Sequence, residues 1–346
     1  MTSVFEYSRE QLAELLSDEP RYRVDQLWHG LWDEARTIDD VSTIPKVLRN
    51  KLEERFVPAL TVLADTQSDH GSTRKWVFGL HDGATIETVL MTYDERVTVC
   101  VSSQAGCAMG CSFCATGQAG FTRQLSVGEV VEQVMFAARA ARPRRLSNVV
   151  FMGMGEPLAN YSVTVTALRH LHTYRGLSAR HLTVSTVGVA PAIERLAREG
   201  LALTLAVSLH AANDETRSQL VPLNRRYPLE RLREACEYWV ATTSRRLSFE
   251  WALIDGVNDT DRALHELARY AGSLGAHVNL IPLNPTPGYL VRGSSVKRVH
   301  EFRDGLIALG INVTVRNTRG RSIDAACGQL ANVTNAKRRS LPVRSN

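Results

Sequence analysis

The stretch CVSSQAGCAMGCSFCATGQAGFTRQL, residues 100–125, decides the fold of this 346-residue chain. It holds four of the six cysteines, and Cys107, Cys111 and Cys114 have the spacing C-x3-C-x2-C. A structural zinc site usually takes four ligands in two pairs, and no second C-x2-C or H-x3-H pair follows. Three thiolates on one loop fit a four-iron cluster that leaves one iron open to a small molecule. The spacing therefore predicts an iron–sulfur site on this loop.

The composition is typical of a globular enzyme. Hydrophobic residues make up 44% of the chain and charged residues 22%. No apolar run reaches the roughly 20 residues that cross a bilayer, so we expect no membrane association. The N-terminus, MTSVFEYSREQLAELL, is acidic and amphipathic and has no signal-peptide pattern. We therefore expect a cytoplasmic, reducing location, where the cysteines do not form a disulfide framework.

The chain has a net charge of +5, and basic residues cluster at 139–145, 316–321 and 337–344. Lysine and arginine bind nucleic acid by displacing counterions from its phosphates, so this charge permits an RNA partner. The last cluster is also typical of a solvated tail that binds nothing.

Changes of pattern divide the chain into four parts. Residues 1–57 carry apolar side chains at helical spacing and predict a small helical domain. Residues 58–95 are rich in β-branched residues between turn clusters and predict a β extension or linker. Residues 96–332 alternate between strand and helix patterns, and 333–346 form a basic tail.

The alternation after residue 95 predicts the main fold. The predicted strands are 97–102, 148–152, 182–186, 202–208, 247–254, 277–283 and 311–316. The first predicted helix opens at Ser126, which can form a capping box with Glu129. Further helices are predicted at 191–198, 229–243, 261–273 and 294–309. Such alternation implies parallel strands with right-handed crossovers, and the number of units predicts an α/β fold, a partial (β/α)6 barrel.

The cysteine motif follows the first strand of this series directly, and Phe113 stands before its last cysteine. A C-x3-C-x-F-C motif in this position resembles the radical S-adenosylmethionine (SAM) superfamily. The resemblance implies that Cys107, Cys111 and Cys114 hold a [4Fe-4S] cluster and that the open iron binds SAM.

Polar residues follow the ends of several predicted strands, where the chemistry of a β/α barrel takes place. They are Gly155 and Glu156 in GMGEP, Ser185, Ser208, His210, Asn284 and Cys327. Glu156 could accept hydrogen bonds from the amino group of SAM, and the glycines beside it let the backbone approach closely. Ser185 and Ser208 could contact the carboxylate or ribose of SAM, and Asn284 could pair with its adenine or ribose. For His210 a structural hydrogen bond and a ligand contact explain the pattern equally well.

Three cysteines lie outside the C-x3-C-x2-C motif. Cys236 shares a helical face with Leu229 and Leu232, so we assign it to the core. Cys327 lies in a loop rich in glycine and alanine, where a thiolate could act as a nucleophile. Cys100 could form a disulfide with Cys327 if their Cα atoms come within roughly 7 Å.

Six segments extend the resemblance to one group within the superfamily. They are CVSSQAGCAMGCSFCATGQAGF, NVVFMGMGEPLAN, LTVSTVGV, LAVSLHA, HVNLIPLNP and IDAACGQL. Together they are similar to the RlmN/Cfr group of radical SAM methyltransferases, which act on adenosine in RNA, and the similarity runs from about residue 5 to 332.

This resemblance implies a reaction that uses two SAM molecules. Cys327 would be methylated first, and a 5′-deoxyadenosyl radical would then activate its methyl group for addition to the adenine ring. Cys100 would release the product by forming a disulfide with Cys327, and Glu87 would accept the proton that leaves the ring. On pattern alone, Glu87 is equally well explained as an outward-facing strand residue.

The resemblance also adds Leu209 to the SAM site beside Ser208 and His210. It implies 23S rRNA and tRNA as partners, an electron donor such as flavodoxin or ferredoxin, and a monomeric enzyme. One departure stands out: Ser322 replaces an aspartate of the group's usual Arg-Gly-x-Asp-Ile-Asp sequence, close to Cys327.

Three alternatives remain open at this point. The enzyme could methylate C8 of adenosine, as Cfr-like members do, rather than C2. It could be a radical SAM enzyme that acts on a small molecule or peptide. It could also be a non-catalytic zinc or RNA-binding module.

Overall fold

The chain begins with three short helices and a three-stranded β segment. The helices are α1 (Arg9–Leu15), α2 (Tyr22–Trp28) and α3 (Lys46–Arg55). The strands are β1 (Thr61–Ser68), β2 (Thr73–Gly79) and β3 (Thr85–Thr92). These bounds come from a computed structural model, which describes residues 2–284, 286, 291–316, 320–326 and 328–330.

The remaining elements alternate. The first group comprises β4 (Val97–Cys100), β5 (Gln104–Gly106), α4 (Ala115–Ala119), β6 (Phe121–Gln124), α5 (Val127–Ala140), β7 (Asn148–Phe151) and α6 (Tyr161–Thr173). The second comprises β8 (Leu182–Thr186), α7 (Ala190–Ala197), β9 (Thr204–Ser208), α8 (Asp214–Leu220) and α9 (Leu229–Thr243). The last comprises β10 (Ser248–Leu253), α10 (Asp261–Ser273), β11 (His277–Pro282), α11 (Val296–Ala308) and β12 (Val313–Val315).

One ten-stranded sheet runs through the molecule in the order β1-β2-β3-β4-β7-β8-β9-β10-β11-β12. The pairs from β4 to β12 are parallel, whereas β1, β2, β3 and β4 pair antiparallel. Seven parallel strands with helical crossovers form the predicted partial barrel, so the predicted α/β fold class is confirmed. The strands β1 to β3 continue the same sheet beyond the first barrel strand.

Local sequence explains why the crossovers form. Ser126 caps α5 and exchanges hydrogen bonds with Glu129, so the predicted capping box is confirmed. Val130, Val134 and Met135 of this helix are fully buried against the sheet. In the described part of the chain, no helix is long and apolar enough to span a membrane.

One long crossover helix, α6, was absent from the predicted set. Its sequence YSVTVTALRHLHT opens with β-branched residues, which favour strands over helices. Tertiary packing decides its structure, because Ala167, Leu168 and Leu171 are completely buried on one helical face.

The N-terminal helices contact the barrel through polar groups. The N–H of Gly128 at the start of α5 donates to the Glu6 carboxylate at 2.7 Å. At the end of α6, the Arg175 guanidinium donates to the carbonyls of Trp32 and Asp33, both at 2.8 Å. The two bonds from Arg175 satisfy carbonyl groups at the end of the helical turn His29–Asp33.

Candidate active site

The C-x3-C-x2-C loop lies between β5 and α4, and the β5–β6 hairpin closes its base. The N–H of Cys107 donates to the carbonyl of Gly120 at 2.8 Å, and the N–H of Cys114 donates to the carbonyl of Cys111 at 3.2 Å. Gly106 has φ +79°, and a Cβ atom there would overlap the Gly120 carbonyl oxygen. Glycine is therefore required for the loop to close on itself.

A cavity opens at the carboxyl ends of the parallel strands, where the sequence pattern predicts the site. Eight of the predicted residues line it: Cys111, Cys114, Gly155, Glu156, Ser185, Ser208, His210 and Asn284. Cys107 and Leu209 do not border it. Leu209 is fully buried, and its N–H donates to the Glu250 carbonyl at 3.0 Å.

Glu156 joins two of the loops around this cavity. Its carboxylate accepts the N–H groups of Leu158 at 3.0 Å and Val187 at 2.8 Å. Burial raises the pKa of Glu156 to about 7, although these two donors oppose the shift. Gly155 beside it has φ +99°, and a Cβ there would meet Gln104, so the loop can approach β5 this closely only with glycine.

His210 makes a hydrogen bond to the backbone and also borders the cavity. Its Nδ1 accepts the N–H of Ala252 at 3.0 Å, and its ring also borders the cavity, edge-on to Phe113 with 4.6 Å between ring centroids. Burial and the nearby Arg217 lower the pKa of His210 to about 3, so the ring is neutral and carries its proton on Nε2. Its φ of +58° lies in the left-handed region, as strained residues at functional sites often do.

Glu87 and Cys100 lie on neighbouring strands, on the same face of the sheet. Val89 of β3 pairs with Cys100 of β4, and Glu87 is two residues away from Val89 along β3. Side chains two residues apart on a strand share a face, so Glu87 and Cys100 point to the same side. Both are buried, with Glu87 completely so. Glu87 therefore does not face outward.

Cys327 lies outside the described residues, but the segments on either side of it are described. The N–H of Ala115 donates to the carbonyl of Gly328 at 2.8 Å, and the Thr116 hydroxyl donates to the carbonyl of Leu330 at 2.5 Å. Ala115 and Thr116 are the first two residues of α4 and directly follow Cys114. Gly328 itself borders the cavity. Ser322, which replaces the aspartate, is exposed.

Residues 101–268 match the family model of the radical SAM superfamily. A solved radical SAM methyltransferase from Sphaerobacter thermophilus is 50% identical, with a TM-score of 0.92 over 95% of this chain and 99% of that one. A Parafrankia protein called a probable dual-specificity RNA methyltransferase RlmN is 52% identical over 90% of this chain and 86% of its own length. A Chloroflexus aurantiacus protein of the same name is 47% identical over 95% and 92%.

The chain belongs to the RlmN family of radical SAM methyltransferases. Radical SAM enzymes use a [4Fe-4S] cluster and SAM, so the predicted cofactors are confirmed at the level of the family. The predicted resemblance and enzyme class are confirmed as well.

The cysteine loop of this RlmN-family chain fits such a cluster. Burial raises the pKa of Cys107 to about 12, and the charges of Glu156 and Cys114 add to the shift. Burial and the two neighbouring thiols raise the pKa of Cys111 too. Thiols in these surroundings become thiolates when a positive metal centre takes up their charge. In the described ranges, no three His, Cys, Asp or Glu side chains lie close enough together to hold a single metal ion. The three cysteines would instead each bind a different iron of a cluster.

Sequence reasoning missed three polar residues of this RlmN-family site. Glu250 borders the cavity and accepts a hydrogen bond from Asn279 Nδ2 at 2.9 Å. The sequence feature that could have indicated Glu250 is a single carboxylate within the largely apolar strand SFEWAL. Arg217 is completely buried and donates to the carbonyls of Val187 at 2.7 Å and Leu209 at 3.1 Å. Lys75, which lies 3.3 Å from Glu87, is the third.

Proposed function

We propose that this chain methylates C2 of an adenosine in 23S rRNA and in tRNA. The observation that supports this most strongly is the attachment of the Cys327 segment to the cluster loop through Ala115 and Gly328. It holds Gly328, the residue that follows Cys327, beside the cavity in which SAM would bind. Relatives that are about half identical are called dual-specificity RNA methyltransferases, and this favours the C2 reaction over the Cfr-like C8 reaction.

The residues around the cavity would bind and orient the cofactors. Cys107, Cys111 and Cys114 would hold the cluster, and Glu156 would accept hydrogen bonds from the SAM amino group. Ser185, Ser208, Asn284 and the Nε2–H of His210 would hold the rest of SAM, with Gly155 and Leu209 shaping the backbone around it. When bound, SAM and the cluster supply the methyl group and the radical that activates it.

Three further residues would act on the RNA. Cys327 would carry the methyl group that becomes the new carbon on the adenine. Cys100 would attack the sulfur of Cys327, so that the bond from this sulfur to the new carbon breaks as the disulfide forms, and the released carbon takes up a proton to become the methyl group of the RNA. Glu87 would accept the C2 proton. This proton must leave after the new carbon has been added, because the adenine ring becomes aromatic again only without it. The complete burial of Glu87 suits a base that works away from water.

The remaining parts of the proposal concern partners and organisation. The basic clusters at 139–145 and 316–321 support contact with RNA phosphates. We keep the divisions 1–57, 58–95, 96–332 and 333–346 as functional units of the proposal. The proposal also includes an electron donor such as flavodoxin or ferredoxin, a cytoplasmic location and a monomeric enzyme.

Nucleoside mass spectrometry of RNA from a strain that lacks the gene tests this proposal. We expect 2-methyladenosine to be absent from 23S rRNA and tRNA and to return with the wild-type gene. A gene with Cys327→Ala should fail to restore it, whereas Cys236→Ala should succeed because Cys236 is completely buried in the core. Unchanged 2-methyladenosine, or loss of 8-methyladenosine alone, would contradict the proposal.

A further inference from the structure

A buried ion pair joins Glu87, the proposed base, to Lys75, a residue with no role in the reaction proposed above. Lys75 Nζ on β2 lies 3.3 Å from Glu87 Oε2 on β3. The Lys75 side chain is 8% exposed and that of Glu87 is 1% exposed. A lysine is rarely buried to this extent without a partner that requires its charge.

The strand register places this lysine in line with the proposed catalytic groups. Lys75 pairs with Val89 on β3, and Val89 pairs in turn with Cys100 on β4. Directly paired residues point to the same face of a sheet, so Lys75, Glu87 and Cys100 share one face. That face is the interior of the barrel, because Met91 and Thr98, two residues further along the same strands, line its lumen.

The same ammonium group also reaches the segment that carries Cys327. Lys75 Nζ donates to the carbonyl of Asp324 at 3.2 Å, three residues before Cys327. A second contact from the β1–β2 turn holds this segment, since the N–H of Gly320 donates to Asp69 Oδ2 at 2.9 Å. Lys75 therefore contacts both the proposed base and the loop of the methyl-carrying cysteine.

We propose that Lys75 is a positioning residue that fixes the Glu87 carboxylate relative to the Cys327 loop and keeps it ionised for proton transfer. This inference rests on the proposed function, in which Glu87 accepts the C2 proton. A cation next to a buried carboxylate stabilises its charged form. An ammonium with three donors can hold that carboxylate and a backbone carbonyl at the same time.

The Lys75→Met variant tests this role by separating two methylation events in one protein. Methylation of Cys327, read by mass spectrometry of the purified protein, does not need Glu87 and should stay at the wild-type level. Methylation of RNA does need it and should fall about 100-fold, the usual effect of losing a catalytic acid or base. Hydrogen exchange should become faster across residues 320–326.

Two further variants serve as controls. Lys75→Arg keeps a donor for both partners and should restore part of the RNA methylation. Arg74→Met removes the neighbouring residue on β2, which pairs with Asp65 rather than with Glu87, and should leave both methylation levels unchanged. The double variant Lys75→Met with Glu87→Gln removes both charges of the buried pair together, so it should melt closer to wild type than Lys75→Met alone.

Either of two results overturns the positioning role. One is RNA methylation by Lys75→Met within threefold of the wild-type level. The other is a parallel loss of Cys327 methylation, which would show that Lys75 only supports the fold. Wild-type protein that forms no methyladenosine would instead overturn the proposed function, and this inference with it.

Discussion

The N–H of Ala115 donates to the carbonyl of Gly328 across 2.8 Å. Each residue directly follows a cysteine, Cys114 in the cluster loop and Cys327 in the C-terminal segment. One backbone hydrogen bond thus fixes the register between the loop proposed to bind the cluster and Gly328, the residue that follows the cysteine proposed to carry the methyl group. A reaction between groups held on two loops depends on such alignment, since small displacements cost large factors in rate.

Thr116→Val tests the second bond of this attachment, from the Thr116 hydroxyl to the carbonyl of Leu330. We expect RNA methylation to fall about twofold to tenfold, the effect of one hydrogen bond, while the iron content of the purified protein stays unchanged. Thr116→Ser keeps the hydroxyl and should behave like wild type. Equal activity of the valine and serine variants would show that this bond does not position the segment.

Arg217→Leu tests the buried arginine that joins the loops after β8 and β9. Four acceptors lose the hydrogen bond from Arg217: the carbonyls of Val187, Ser208 and Leu209 and the side chain of Asn224. We expect the free energy of unfolding in urea to fall by about 3 kcal/mol, since buried acceptors would lose their bonds. Arg231→Leu removes a more exposed arginine that pairs with Glu194 and should cost about 0.5 kcal/mol. Similar losses in both variants would contradict this role.

Several parts of this arrangement were predictable because they depend on local sequence. Cysteine spacing and short apolar runs identified the loop at residues 107–114 and all seven parallel strands of the barrel. Helix α6 was not predictable, because the β-branched residues of SVTVT favour a strand until burial of Leu168 and Leu171 decides otherwise. Lys75 was not predictable either, since its partner Asp324 lies 249 residues away in the sequence.

Glu132→Gln should change how stability depends on pH. Burial raises the pKa of Glu132 from an ordinary 4.5 to about 7. Between these values the folded protein holds a proton that the unfolded chain has lost, so this group's contribution to stability falls as the pH rises from 4.5 to 7.

Glutamine carries no charge and can still accept the N–H of Ala59, which now donates to Glu132 Oε2. The free energy of unfolding of the variant minus that of wild type should therefore increase by about 2 kcal/mol from pH 5 to pH 8. Urea titrations at both pH values measure this difference. A gap between variant and wild type that is the same at both pH values would contradict it.

Cys100→Ala and Cys236→Ala should behave in opposite ways although both cysteines are buried. Cys236 is an inert core residue, because burial raises the pKa of its thiol to about 12. Its alanine variant should keep full activity. The Cys100 variant should accumulate protein covalently joined to RNA, visible as a shifted band on a denaturing gel that ribonuclease removes. Normal turnover by Cys100→Ala would show that another group releases the product.

The most direct test of the central claim is an anaerobic reaction of the purified, iron-loaded protein with RNA, a one-electron reductant and SAM that carries a deuterated methyl group. The nucleosides are then analysed by mass spectrometry against standards of 2-methyladenosine and 8-methyladenosine. Transfer through a cysteine-bound methylene predicts 2-methyladenosine with two deuterium atoms from SAM, and no product with Cys327→Ala. A product that retains all three deuterium atoms, methylation at C8, or activity without Cys327 would contradict the account.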